Sequence, residues 1–243
     1  MSSNPFQAPG STADFEQDSP FTYRPLRVLT IIVAIAFGVQ VFLLVATQAS
    51  TAWLQSHDPS VFTGGEPRDG TSALLAVVLF LSSVSYLVVY LGGIFFFFIW
   101  LVRANKNARA LGARDMEFTP GWMVGWFFVP LANLFKPYEA VGELYLASDP
   151  GSDAESWGAA EMPRTILAWW LSWIAFGLSS YFVSLWAEPS TPAAMLPALF
   201  NGVAAALAIT VLASIDLRQV EKRKRLAVSP APPPAPGPSH RFL

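Results

Sequence analysis

The chain has 243 residues, 53% hydrophobic, 14% aromatic and only 13% charged, with a formal net charge of −2. Soluble domains carry about 25% charged residues, so this balance points to lipid as the solvent. Cysteine is absent, which excludes disulfides, thiolate metal sites, iron–sulfur clusters and a cysteine nucleophile; His57 and His240 lie too far apart in sequence to suggest a histidine metal centre or a Ser-His-Asp constellation. No cofactor, metal or nucleic-acid partner is expected.

Residues 1–23 are polar, rich in Pro, Ser and Gly, and carry Asp14, Glu16 and Asp18. They bury too little apolar surface to offset ordering entropy, so a disordered N-terminal tail is expected. A membrane domain follows over 24–225, with four apolar runs at about 26–49, 72–102, 165–187 and 193–215. Each reaches the roughly 20 residues a helix needs to cross the hydrocarbon core. Helix is the structure that satisfies their backbone groups in lipid. The first run exceeds the usual 7–15 residue core of a signal peptide and follows an acidic tail, so it reads as an uncleaved span. The second is long enough to tilt or project into water. Trp53, Trp100 and Trp186 sit near the predicted ends, as interfacial anchors do. Residues 226–243 are proline-rich and expected to be extended and mobile.

The segment 119–147 decides the topology. Crossing fully, it makes five spans; turning back or lying along the interface, it leaves four. With four spans and the N-terminus inside, fourteen of the fifteen bases are cytoplasmic and only Arg68 is external; with five, nine bases lie outside. Lys and Arg accumulate on the cytoplasmic side. The expected architecture is therefore an all-α integral membrane protein with four transmembrane helices, a re-entrant or interfacial helical hairpin, and disordered tails. Both termini are expected in the cytoplasm of a bacterial inner-membrane protein. A kinked full span is the rival for the hairpin. Within it, Pro130 is expected to break a helix that begins near Gly121, and Pro137 to open a new one with Glu139 near its positive end. Asn133 is expected to bond backbone groups freed by Pro130.

The stretches "WLVRANKNARALG" at 100–112 and "FTPGWMVGWFFVPLANLFKPYEAVGELYLAS" at 118–148 share a pattern. It runs through Arg103, Asn105, Asn107, Arg109, Leu111 and Gly112, then Pro120, Gly121, Trp122, Pro130, Asn133, Lys136, Pro137, Glu143, Ala147 and Ser148. This resembles the bacterial membrane family catalogued as domain of unknown function 4328. The resemblance implies a multi-pass membrane protein and brings no activity, substrate or catalytic residue. Leu146 departs from the polar or basic residue of the family pattern.

No charge falls in the middle of the four runs, which weakens proton-coupled transport. Gln40 and Asn201 are read as interhelical hydrogen-bonding groups. Ala198, Gly202 and Ala206 recur every four residues in the last run, a spacing for close packing within the chain or in a homo-oligomer. The basic stretches "RANKNARALGAR", read as a loop, and "RQVEKRKR" are expected to set orientation and meet anionic lipid headgroups.

The candidate binding or structural motif comprises Arg103, Asn105, Arg109, Pro120, Trp122, Trp126, Pro130, Asn133, Lys136, Pro137, Glu139 and Glu143. The expected role is interaction or scaffolding at the cytoplasmic face. A small-solute transporter or channel using the hairpin is the alternative, and a lipid headgroup-modifying enzyme a weaker one.

Overall fold

The apolar runs do what lipid demands of a backbone and form long helices. A computed structural model describes residues 20–152, 157–159, 161–186 and 192–228. The tails expected at 1–19 and 229–243 lie outside the described residues, as does most of the connection between the third and fourth spans. Among the described residues there are six α-helices: α1 Arg27–His57, α2 Gly70–Ala110, α3 Trp122–Gly125, α4 Lys136–Ala147, α5 Arg164–Trp186 and α6 Leu196–Val228. No strand is present among the described residues. Four helices, α1, α2, α5 and α6, are long and apolar enough to cross a membrane. Their outward faces are apolar too: Phe42, Phe80 and Val88 are 70%, 67% and 65% exposed. A surface of that kind is stable against acyl chains. The chain is an all-α multi-pass membrane protein.

The spans alternate in direction and pair as α1 with α2 and α5 with α6, the pairs joining along α1 and α6. Direct contact between α2 and α5 is slight. Leu26, Val33, Trp100, Leu101, Leu144, Ile166 and Ile215 are essentially inaccessible and gather in one cluster toward the end where α2 and α6 finish. This end, which also carries the 100–148 pattern, is the signature end. Trp100 lies within that cluster, so its ring is buried in protein and does not face lipid, and its indole N–H donates to Thr30 Oγ1 at 2.9 Å.

Helical structure outruns hydropathy at the signature end. The sequence reading placed Arg103 to Arg109 in a loop; α2 instead continues to Ala110, giving 41 residues or a rod of about 60 Å. It stops at Gly112, whose φ of 91° suits glycine. There the Ala113 N–H donates to Ala108 O and the Gly112 N–H to Arg109 O, the paired bonds of a Schellman termination. Likewise α6 runs through "RQVEKRKR" to Val228. Its inner face is Ala198, Asn201, Ala204, Ala208, Val211, Ile215, Gln219 and Lys222. Of the expected small-residue row, Ala198 is buried, Gly202 approaches Val41 of α1, and Ala206 is exposed.

At the opposite end, α1 and α2 are joined by a loop built on Asp58, which is fully buried. Its carboxylate accepts the Arg68 N–H at 2.7 Å and the Ser60 hydroxyl at 2.5 Å, and pairs with the Arg68 guanidinium at 3.4 Å. The Arg68 amide first, then the Ser60 hydroxyl, hold the Asp58 carboxyl below its ordinary range. Asp69 caps α2 by accepting the Ser72 N–H at 2.7 Å.

Candidate functional site: a clamped turn between the second and third spans

The 119–147 segment starts as a short helix and does not remain one. After α3 come 3-10 turns at Trp126–Phe128 and Ala132–Leu134. The helix fails before Pro130 is reached, because the residue ahead of a proline is pushed out of the helical region. Val129 accordingly sits at φ −91°, ψ 113°. Pro130 O then accepts the Ala132 N–H at 2.8 Å around Leu131, whose φ is 65° and ψ −47°. That is the rare, strained γ-turn. The Asn133 N–H closes the reversal by donating to Val129 O at 2.9 Å. The Asn133 side chain does not bond the backbone freed by Pro130, as the sequence suggested; its buried Oδ1 has no partner. Pro137 occupies the second position of α4, after Lys136.

Three side chains hold the segment entering this turn. Asn105 Nδ2 donates to Phe118 O at 2.9 Å. Arg109 donates to Asn105 Oδ1 at 3.1 Å, to Met116 O at 3.2 Å and to Phe118 O at 3.1 Å. From the other side, the Glu143 carboxylate accepts the Glu117 N–H and, at 3.1 Å, the Phe118 N–H. Both backbone groups of Phe118 are thereby taken by charged or amide side chains from α2 and α4. Burial pushes the Glu143 carboxyl above the usual range, while the two amides and the Arg109 charge act in the opposite direction. Lys136 pairs with Glu139 at 2.6 Å and Glu117 at 3.2 Å, which raises its pKa, and sits 5.3 Å from the Phe118 ring centroid.

Aromatic rings seat the turn against the spans. Phe127 meets Phe98 of α2 at 5.2 Å and Trp170 of α5 at 6.1 Å, bridging helices that otherwise barely touch. Trp170 Nε1 donates to Leu134 O at 2.8 Å. Trp122 and Trp126 pack on each other at 4.7 Å, just after Pro120 and Gly121 start the turn into α3. Beyond Phe127, a cavity of about 350 Å³ opens between α2 and α5, with Gln40, Tyr90 and Asn201 among its lining.

The twelve motif residues therefore do not converge on one point. Asn105, Arg109 and Glu143 meet at Phe118; Lys136 and Glu139 flank it; Arg103 faces a different flank of α2, beside Arg24 and Lys106. The most connected group was not among the candidates. Gln219 is inaccessible and donates to Ala104 O at 2.9 Å and Ser148 Oγ at 3.0 Å, while accepting from Asn107 Nδ2 at 3.1 Å. Asn107 in turn accepts the Arg24 N–H at 2.9 Å and donates to Arg24 O at 2.8 Å. Lys222, 3% exposed, donates to Ala147 O at 3.1 Å and so caps the negative end of α4. Arg218 pairs with Asp149 at 2.9 Å and lies 4.1 Å over the Tyr145 ring. The signal available for these was the inner-face spacing of α6 continuing past Ile215 through 219 and 222.

Fold and site define a four-span helical membrane protein with a clamped aromatic turn between spans two and three. The chain belongs to the family described as "Domain of unknown function (DUF4328)", whose model matches residues 66–224. No curated protein and no solved structure matches the chain.

Proposed function

We propose that the protein is a scaffold of the bacterial cytoplasmic membrane, acting by interaction at the cytoplasmic face, where both termini and the signature end lie. The carrying observation is that Asn105, Arg109, Glu143, Asn107 and Gln219 bond each other and the backbone. Polar groups used in this way stiffen a surface. They do not hold a reacting molecule. The orientation is supported by fourteen of fifteen bases falling on that side.

Single cysteines at Gly151 and Lys224, both exposed, should react with an impermeant reagent only from the cytoplasmic side, and one at Glu66 only from outside. Ser148 is unsuitable for this purpose because it is buried. A photo-crosslinker at Glu117, whose side chain is 70% exposed, should trap a discrete partner that a crosslinker at Glu66 does not. Solute flux in proteoliposomes that Lys136→Ala abolishes would overturn the scaffold reading.

The 350 Å³ cavity favours a second reading, a small-solute transporter with Gln40, Tyr90 and Asn201 as its polar contacts. Flux sensitive to Gln40→Leu would select it.

A further inference from the structure

A groove of about 770 Å³ runs between residues 20–24, α2 and Val124, separate from the clamped turn. One end is apolar, lined by Phe95, Ile99 and Val102; the other is basic, lined by Arg24, Arg103 and Lys106. Residues 95, 99, 102 and 106 follow helical spacing, so the apolar stripe leads straight to Lys106 on one face of α2. The stripe is open to its surroundings, with Phe95 61% and Ile99 37% exposed. The change from apolar to basic falls where the uncharged run of α2, Ser72 to Val102, meets its first charge at Arg103. That is where acyl chains give way to headgroups.

The basic end is held in place and, among the described residues, has no carboxylate paired to it. The Arg24 main chain is fixed by its two bonds to Asn107. Lys106 Nζ lies 5.7 Å from the Phe21 ring centroid, and the buried Arg103 Nε has no hydrogen-bond partner. None of the three cations is in an ion pair with a described carboxylate. Three cations at the head of a lipid-exposed apolar stripe complement a phosphate that carries a hydrocarbon chain. A free phosphate would leave the stripe unused.

We propose that this groove is a specific site for one anionic phospholipid, its phosphate among Arg24, Arg103 and Lys106 and one acyl chain along Phe95, Ile99 and Val102. The site goes beyond the scaffold reading and draws on it only in setting the signature end at a membrane surface.

The test uses the full chain in phosphatidylcholine nanodiscs containing a trace of either phosphatidylglycerol or phosphatidylcholine, each with the same photoreactive acyl chain. Phosphatidylglycerol should label the 95–106 peptide well above phosphatidylcholine. Each cation removed should cut that labelling about fivefold, so Lys106→Gln loses about fivefold and Arg103→Gln/Lys106→Gln about 25-fold. Lys106 is exposed, so its single variant reports even if the double variant misfolds. Lys224→Gln/Arg225→Gln, at the end of α6, should label like the parent. Equal labelling by the two lipids, no labelling of the parent, or an equal loss in the α6 variant would each overturn the site. Abolition by an equal concentration of glycerol phosphate, a headgroup without chains, would replace it with a soluble-anion site. None of these results bears on the side-specific cysteine labelling, so failure of the lipid site and failure of the orientation are separately visible.

Discussion

Gln219 shows how much one neutral side chain can hold together at the signature end. It reaches Ala104, Asn107 and Ser148 from full burial, so its loss takes one hydrogen bond from the Ala104 carbonyl, one from the Asn107 amide and one from the Ser148 hydroxyl in a water-poor place. Each buried group left unmade costs about 1–3 kcal/mol. Gln219→Leu is therefore expected to cost on the order of 2–4 kcal/mol, read as a lower melting temperature in detergent. Lys224→Ala, at an exposed position three residues beyond Glu221, should leave it unchanged. Residues of this kind were hard to read in sequence because a basic run normally describes a solvated face. Arg218, Lys222 and their neighbours look alike as letters, yet Lys222 is buried against the end of α4 and Lys224 faces out. Only the register of α6 separates them.

At the scale of elements, hydropathy located the four spans because a helix in lipid must be apolar on its outward face. It did not locate where α2 ends, since apolarity reports contact with lipid and says nothing of helix termination. The terminating signal was Gly112, ten residues past the end of the uncharged run at Val102. Pro130 was legible as a break, but the γ-turn at Leu131 was not, because leucine carries no preference for positive φ. The strain there predicts an inverted ranking. Glycine is ordinarily no better than alanine in a folded chain, but a left-handed residue with a Cβ costs roughly 1–2 kcal/mol. Leu131→Gly should therefore melt higher than Leu131→Ala, both having lost a side chain that is 78% exposed. The loop between α1 and α2 predicts an acid dependence. The Asp58 pKa is lowered by folding, so its stabilisation is full above the ordinary carboxylate value of 3.8 and is lost as pH falls from there toward the folded value. Asp58→Asn should flatten that acid limb of the melting temperature against pH, while the limb above pH 5 keeps its slope.

The whole molecule is two helical hairpins, α1–α2 and α5–α6, joined along α1 and α6 and bridged at the signature end. Gly202 lies on that joint, where an added Cβ would sit 3.8 Å from Val41 Cγ1. Two co-expressed pieces cut between 153 and 156 should copurify, since the α6 side chains Arg218, Gln219 and Lys222 grip α4 and its C-terminal cap. Gly202→Leu with Gln219→Leu should separate them, as seen in the yield of the untagged piece. Copurification undiminished in that variant would mean the aromatic bridge through Phe127 suffices.

The bonds of Gln219 also impose an order on biosynthesis. They join positions 71, 112 and 115 residues apart in the chain. On the ribosome, the polar end of α2 is complete long before its partner on α6 has been translated. Until the last helix arrives, the Ala104 carbonyl and the Asn107 amide lack their lock, so a prematurely terminated chain leaves both short of a bond that only α6 supplies.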